Sequence, residues 1–131
     1  MNGNILDTSV IIDVLRGDPG AIVFVGELGE DVFVSAITIG ELLYGAKKSA
    51  DIVHNTDLIY RMTDAFEVLS VDMETAEVYG EIKIDLNRKG YKLPENDIWI
   101  AATAKKHGLS LATFDSDFQR IDDLKIKGVE K

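Results

Sequence analysis

Four acidic residues stand at positions where carboxylate chemistry is expected in an α/β sequence. Asp7 ends one apolar run and Asp115 follows another, whereas Glu41 and Asp97 lie near the starts of helical patterns. Ligands of open parallel sheets bind beyond the carboxyl ends of the strands, so these four side chains are expected to converge there. Crowded carboxylates repel one another unless cations neutralise them, and such oxygen donors suit Mg²⁺ or Mn²⁺. Two of these ions could clamp the attacking and leaving oxygens of a phosphodiester.

Helix capping is the structural alternative for each of the four residues. Asp7 directly precedes a helical pattern, and Asp is a favoured N-cap residue. Thr38 is followed three residues later by Glu41, which is the spacing of a capping box. A later helix is expected to start at Asn96 or Asp97. Considered one at a time, these residues leave capping and metal binding both open.

The composition restricts the available chemistry to oxygen ligands. The length of 131 residues predicts one domain, 1–131, and 46% hydrophobic with 28% charged residues is typical of a globular protein. Because the sequence contains no cysteine, disulfides, thiolate metal sites and a cysteine nucleophile are excluded. The two histidines, His54 and His107, are far apart in the sequence, which gives little support to a zinc site or a histidine-based triad.

The net charge of −9 opposes a passive nucleic-acid binder, which normally presents a basic face to the phosphates. Two kinds of binding remain compatible with this charge. Either the partner is basic, or clustered carboxylates hold divalent cations that reverse the local sign of the charge.

The sequence also predicts where the protein acts. It has no apolar stretch long enough to cross a bilayer, and its amino terminus lacks the basic start and apolar run of a signal peptide. We therefore expect a soluble, cytoplasmic protein with no membrane partner.

Strand and helix patterns alternate along the chain. Strands are expected to end at Asp7 and to cover residues 31–36, 67–71, 109–113 and about 124–129. Helical patterns lie between them, after Asp7, over about 21–28, from Thr38, over 51–65 and 72–89, and up to His107, with a short helix before the last strand. This alternation predicts a three-layer α/β fold, with a mainly parallel central sheet of about five strands and helices on both faces.

Four segments carry a resemblance to a known family. They read LDTSVIIDVL, SAITIGELLYGA, PENDIWIAATAKKHGL and LATFDSDF, in that order, and the similarity extends from Ile5 to about Val129. The chain resembles a PIN domain. Within that superfamily it is most similar to the VapC-type toxin ribonucleases of prokaryotic type II toxin–antitoxin systems.

The resemblance implies roles for particular residues. It implies that four acidic residues hold Mg²⁺ or Mn²⁺, and this acidic quartet consists of Asp7, Glu41, Asp97 and Asp115. It also implies that Thr8 or Ser9 helps to order the site, that Asn96 supports Asp97, and that Thr113 orients the loop of the fourth acid. Asp117 lies close enough in the sequence to assist or replace Asp115.

The activity implied by the resemblance is metal-dependent RNA hydrolysis. A cation-activated water would attack the phosphodiester and leave a 5′-phosphate and a 3′-hydroxyl. Family members usually form homodimers and are silenced by a cognate antitoxin, whose basic C-terminal segment would suit the charge of −9. Candidates for the antitoxin groove are Leu42, Leu43 and Tyr44, and candidates for contacting the RNA backbone are Lys47, Lys48, Lys105 and Lys106.

Three other functional interpretations have less support from the sequence. A phosphoacceptor receiver domain needs two acidic residues at the end of the first strand, where this chain has one, and its acceptor would have to be Asp72. A phosphatase of the haloacid dehalogenase type needs Asp-x-Asp where this chain has Asp7-Thr8-Ser9. A non-catalytic PIN fold that binds RNA or protein would be expected to lose at least one carboxylate of the quartet.

Overall fold

Five short parallel strands form the centre of the computed structural model, which describes residues 2–129. The strands are β1 (Asn4–Leu6), β2 (Val32–Ser35), β3 (Glu67–Leu69), β4 (Ser110–Ala112) and β5 (Ile126–Lys127). They lie in the order β3-β2-β1-β4-β5, and every neighbouring pair is parallel. The predicted parallel sheet is therefore confirmed.

Helices connect the strands, as the alternating pattern predicts. They are α1 (Thr8–Leu15), α2 (Pro19–Glu27), α3 (Ala36–Lys47), α4 (Ile52–Ala65), α5 (Met73–Lys89) and α6 (Glu95–His107), with a 3-10 helix at Ser116–Arg120. Within residues 2–129, none of the helices is both long enough and apolar enough to span a membrane.

Alternating side chains of the strands build two cores, one on each face of the sheet. Ile5 of β1 packs with residues of α5 and α6, among them Ile82, Leu86 and Ile100. The next residue, Leu6, points to the opposite face and packs with residues of α1, α3 and α4, among them Ile11, Leu42 and Ile59. Successive strand residues point to opposite faces, so the consecutive apolar residues Ile5 and Leu6 are both buried, one under the helices of each face.

The connections change direction at β1, which has β2 on one side and β4 on the other. Ligands of doubly wound sheets bind at such a topological switch point, beyond the carboxyl ends of the strands. Asp7 follows β1 directly and Thr113 follows β4, and the Asp7 N–H donates to the Ala112 carbonyl at 3.0 Å. The order of the strands thus brings the first and the fourth candidate acid to the same crevice.

The same strand order contradicts the receiver alternative. Flavodoxin-like sheets, including those of receiver domains, have the order 2-1-3-4-5, with the third strand beside the first. Here β3 lies at the edge of the sheet, where it pairs with β2. Asp72, which would have to accept the phosphoryl group, instead caps α5 through Thr75 and pairs with Lys106. A receiver site is therefore wrong for this chain.

Two predicted helix starts were also wrong. Helix α3 begins at Ala36, because the Ser35 hydroxyl accepts a hydrogen bond from the Ile37 N–H at 3.0 Å and caps the helix. Helix α6 begins at Glu95 rather than at Asn96 or Asp97, because the preceding Pro94 occupies the N-cap position with its φ already fixed by the ring.

Candidate active site

Asp7 is buried, with 4% of its surface exposed, and its carboxylate does not cap α1. Its Oδ2 accepts hydrogen bonds from Ser9 Oγ at 2.9 Å and from Thr113 Oγ1 at 2.8 Å. The capping explanation is therefore wrong for this side chain, although Asp7 does occupy the N-cap position of the helix. The two hydroxyl donors hold the Asp7 carboxylate in one orientation at the end of β1.

Glu41 is held by a hydroxyl from another element rather than by its own helix. Its Oε1 accepts a hydrogen bond from Thr8 Oγ1 at 2.9 Å, and Thr8 Oγ1 lies 2.9 Å from Thr38 Oγ1. A threonine hydroxyl has a single proton, so when Thr8 donates to Glu41, Thr38 must donate to Thr8. The result is a directed relay from Thr38 through Thr8 to the carboxylate, and the capping-box interpretation is wrong.

Thr38 is the site neighbour that the sequence pattern misassigned. Its side chain is fully buried, and its hydroxyl contacts a residue thirty positions away in the sequence. The available signal was its spacing of three from Glu41, which places both side chains on one face of α3. That spacing is shared by capping boxes and by paired side chains within a helix, so it could not tell the two apart.

Thr113 links the first acid to the loop that carries the fourth. Its Oγ1 donates to Asp7 and accepts from the Asp115 backbone N–H at 3.0 Å. The Asp115 side chain in turn accepts from the Asp117 N–H at 2.9 Å and caps the 3-10 helix, so capping is confirmed for Asp115. Asp117 is exposed.

Asp97 lies in the first turn of α6 and is half-buried. Burial raises the pKa of its carboxyl to about 6, and the negative charges of Asp7, Glu41, Asp115 and Asp117 add to the increase. Repulsion of this kind requires that the other carboxylates lie nearby, so Asp97 belongs to the same acidic cluster.

Other residues named by the resemblance are less closely tied to the cluster. Asn96 is exposed, and no hydrogen bond joins its side chain to Asp97, so its supporting role stays a prediction. Leu42 is buried, Leu43 is half-buried and Tyr44 is 66% exposed. Leu42 and Glu41 help to line a groove of about 400 Å³ between α1, α3 and α4.

Two of the four lysines named for RNA contact already have partners. Lys106 pairs with Asp72 at 3.0 Å, and Lys105 donates to the Asp122 carbonyl at 3.0 Å. Lys48 lies 4.7 Å from the centre of the Tyr44 ring. A contact of these lysines with RNA stays a prediction.

The donor set of the cluster fits a hard divalent cation. Within residues 2–129, no three acidic or histidine side chains are close enough together to surround one ion. Mg²⁺ does not require this, because it keeps several water ligands and is commonly bound through one or two carboxylates. A cation beside Asp7 and Asp97 would relieve the repulsion that raises the pKa of Asp97.

Comparison with known protein families agrees with this geometry. The model of the PIN domain family matches residues 5–124, which include all four acidic residues. The chain belongs to the PIN domain family. The acids of this PIN domain that follow β1 and β4 are joined through Thr113, and those on α3 and α6 approach from the helices.

Individual relatives narrow the resemblance further. Ribonuclease VapC2 of Haemophilus influenzae is 35% identical over 88% of this chain and 89% of that protein. The tRNA(fMet)-specific endonuclease VapC of Shigella flexneri is 30% identical over 92% of each chain. The structure of DNA-bound VapBC from Salmonella typhimurium superposes with a TM-score of 0.90 and 32% identity, over 97% of this chain and 98% of that chain. Toxin–antitoxin complexes are also among the solved neighbours. The resemblance to VapC ribonucleases is thereby confirmed.

Proposed function

We propose that this protein is an endoribonuclease that depends on Mg²⁺ or Mn²⁺ and acts as the toxin of a toxin–antitoxin pair. The observation that supports the proposal is that burial raises the pKa of Asp97 and that the negative charges of Asp7, Glu41 and Asp115 add to this rise, near the switch point of the sheet. Relatives named as ribonucleases and as a tRNA-specific endonuclease support RNA as the substrate.

The four acidic side chains would have different roles in holding the cation. Asp7, fixed by two hydroxyls, and Glu41, fixed by Thr8, are the most firmly positioned ligands. Asp97, in the first turn of α6, and Asp115, which is linked to Asp7 through Thr113, would complete the acidic set. A bound divalent cation would activate water and neutralise the charge of the phosphate. The carboxylates alone cannot do this, because they repel an anionic substrate.

The proposed partner is an antitoxin with a basic segment. The net charge of −9 favours association with a basic chain by electrostatic steering. The groove between α1, α3 and α4 has apolar walls and includes Glu41, so a segment bound there would reach the acidic cluster. We also propose that the protein forms a homodimer, as the family resemblance implies.

Cleavage of a pool of structured cellular RNAs, with purified tRNA included, tests the proposed activity. The purified chain is incubated with Mn²⁺, with Mg²⁺ or with a chelator, beside the Asp7→Ala variant. We expect cuts at discrete positions that require metal, leave 5′-phosphates and are absent with the variant. Absence of cleavage by a folded, metal-binding chain, or equal cleavage by the variant, would contradict the proposal.

The relay through Thr38 provides a separate prediction. In the Thr38→Val variant, Thr8 loses its donor and Glu41 is held less firmly, so cleavage is expected to fall about tenfold. The Thr38→Ser variant keeps the hydroxyl and should stay close to the wild type. Mn²⁺ affinity, measured by calorimetry, should weaken for the valine variant alone. If both variants cleave RNA and bind Mn²⁺ like the wild type, Thr38 contributes only to packing.

A further inference from the structure

An arginine and a tyrosine are stacked beside the acidic cluster, in a part of the surface that the proposed mechanism does not use. The Arg120 guanidinium lies 4.2 Å from the centre of the Tyr91 ring. Both residues line a groove of about 490 Å³, and Tyr91 keeps 38% of its surface exposed. A large aromatic residue at an open groove, covered on one face by a cation, is a common arrangement for holding a guanidinium in place.

The stacked pair is held by the end of α5. Gly90 ends this helix in the left-handed conformation, with φ at 80°, and the Tyr91 N–H then donates to the Leu86 carbonyl at 2.9 Å. Lys89 donates to the Arg120 carbonyl at 3.4 Å, which ties the last residue of the 3-10 helix to α5. These contacts fix the backbone from which the Tyr91 and Arg120 side chains extend.

The groove adjoins the candidate active site. Its wall includes Ser116 and Asp117, and the Asp117 N–H donates to the Asp115 carboxylate at 2.9 Å. A polymer with one phosphate at the acidic cluster would therefore run along this groove with a neighbouring phosphate. Such a phosphate would meet Asp117 and Asp122 in the wall, so a cation is required there.

Arg120 is the cation of this groove whose charge is not taken up by an acid. Lys89 lines the same groove, but it pairs with Asp85 at 2.7 Å and with Asp122 at 2.9 Å. None of the ion pairs within residues 2–129 involves Arg120. A guanidinium stacked on an aromatic ring keeps its N–H edge free, and that edge fits two phosphate oxygens at once.

We propose that Arg120, supported by Tyr91, binds the RNA backbone phosphate next to the one that is cleaved. This inference rests on the proposed function, because it assigns a second contact for the same substrate. Arg120 acts as a binding residue and Tyr91 as a positioning residue that keeps the guanidinium edge turned toward the groove.

Binding of fluorescently labelled tRNA to the Asp97→Asn variant, which is expected not to cleave the probe, tests the inference. Adding Arg120→Gln should weaken binding about five- to tenfold at low salt. It should also lower the slope of log affinity against log salt by about one. Arg120→Lys keeps the charge but loses the planar fork, so an intermediate loss is expected. Tyr91→Leu should weaken binding by a smaller factor.

Arg61→Gln is the matched control, because Arg61 is an exposed arginine of α4 that pairs with Asp57. It removes the same charge, but Arg61 does not line the groove, so the tRNA affinity should stay near that of the parent. In the active chain, Arg120→Gln should raise KM and leave kcat nearly unchanged. Equal tRNA binding and equal KM for the Arg120 and Arg61 variants would overturn the inference while wild-type cleavage leaves the proposed function standing. The inference would also be overturned if Arg120→Gln weakened binding to the antitoxin but not to tRNA. Absence of RNA cleavage by the wild type would contradict both proposals.

Discussion

Replacing Asp97 by asparagine is expected to lower the rate of RNA cleavage at least about 1000-fold, which corresponds to about 4 kcal/mol of transition-state stabilisation. The amide removes a negative charge from the acidic cluster while keeping nearly the same shape. The charges of Asp7, Glu41 and Asp115 act on Asp97, so the Asp97 charge is expected to take part in holding the cation. Discontinuous cleavage assays with a defined tRNA would measure the loss.

Cell growth provides an independent test of the Asp97→Asn substitution. Overproduction of the wild-type chain without its partner should arrest growth, whereas the Asp97→Asn variant should be tolerated. The matched control is Asp64→Asn, which alters an exposed aspartate of α4 and should remain toxic and active. A tolerated wild type with full cleavage activity would argue for a housekeeping nuclease, and an active Asp97→Asn variant would remove Asp97 from the site.

The fold of this variant can be checked through the pH dependence of stability. The pKa of Asp97 is about 6 in the folded chain, against an ordinary value of 3.8, so between these pH values the folded state binds more protons than the unfolded state. The free energy of unfolding of the metal-free wild type therefore falls as the pH rises from about 4 to 6. The asparagine variant lacks this cost. In urea denaturation at pH 7.5, its free energy of unfolding should be about 1 kcal/mol higher than that of the metal-free wild type. This value is smaller than the full pKa shift would give, because solvent screens the charge of the half-exposed Asp97.

Addition of Mg²⁺ or Mn²⁺ is expected to raise the melting temperature substantially. A cation that binds the folded chain alone stabilises it by about 2.7 kcal/mol at a concentration one hundred times its Kd. For a chain of this length that corresponds to about 10 °C. The physical reason is that the cation removes the repulsion among carboxylates that the metal-free fold has to tolerate. Differential scanning fluorimetry with and without chelator measures the shift.

Protons should compete with the metal for the same cluster. Below about pH 6 the Asp97 carboxyl is largely protonated, so the metal-induced shift should be smaller at pH 5 than at pH 7.5. Asp7→Asn should nearly abolish the shift, whereas Asp64→Asn should preserve it. A melting temperature that does not respond to millimolar metal at pH 7.5, or an equal response in the Asp7 variant, would count against the proposed metal site.

Much of the fold was predictable because it depends on local patterns. Apolar runs and helical spacing placed all five strands and the helices between them, since the two periodicities report directly which backbone conformation can bury a face. The position of Asp7 at the end of β1 follows from the same pattern. The boundaries were less exact: the strands are shorter than predicted, and α3 and α6 begin earlier, after Ser35 and Pro94, where one residue more or less decides the cap.

What the sequence by itself determined was the set of carboxylates and the layered fold that presents them. Only the tertiary structure decided which side chains hold those carboxylates. The Asp7 carboxylate is bound by Thr113, 106 residues away, and Glu41 is reached from Thr38 through Thr8. Arg120 and Tyr91 likewise meet only because the 3-10 helix packs against the end of α5. Local patterns record hydrogen bonds within a few residues, whereas these contacts depend on strand order, which places β4 beside β1 and which no short stretch of sequence encodes.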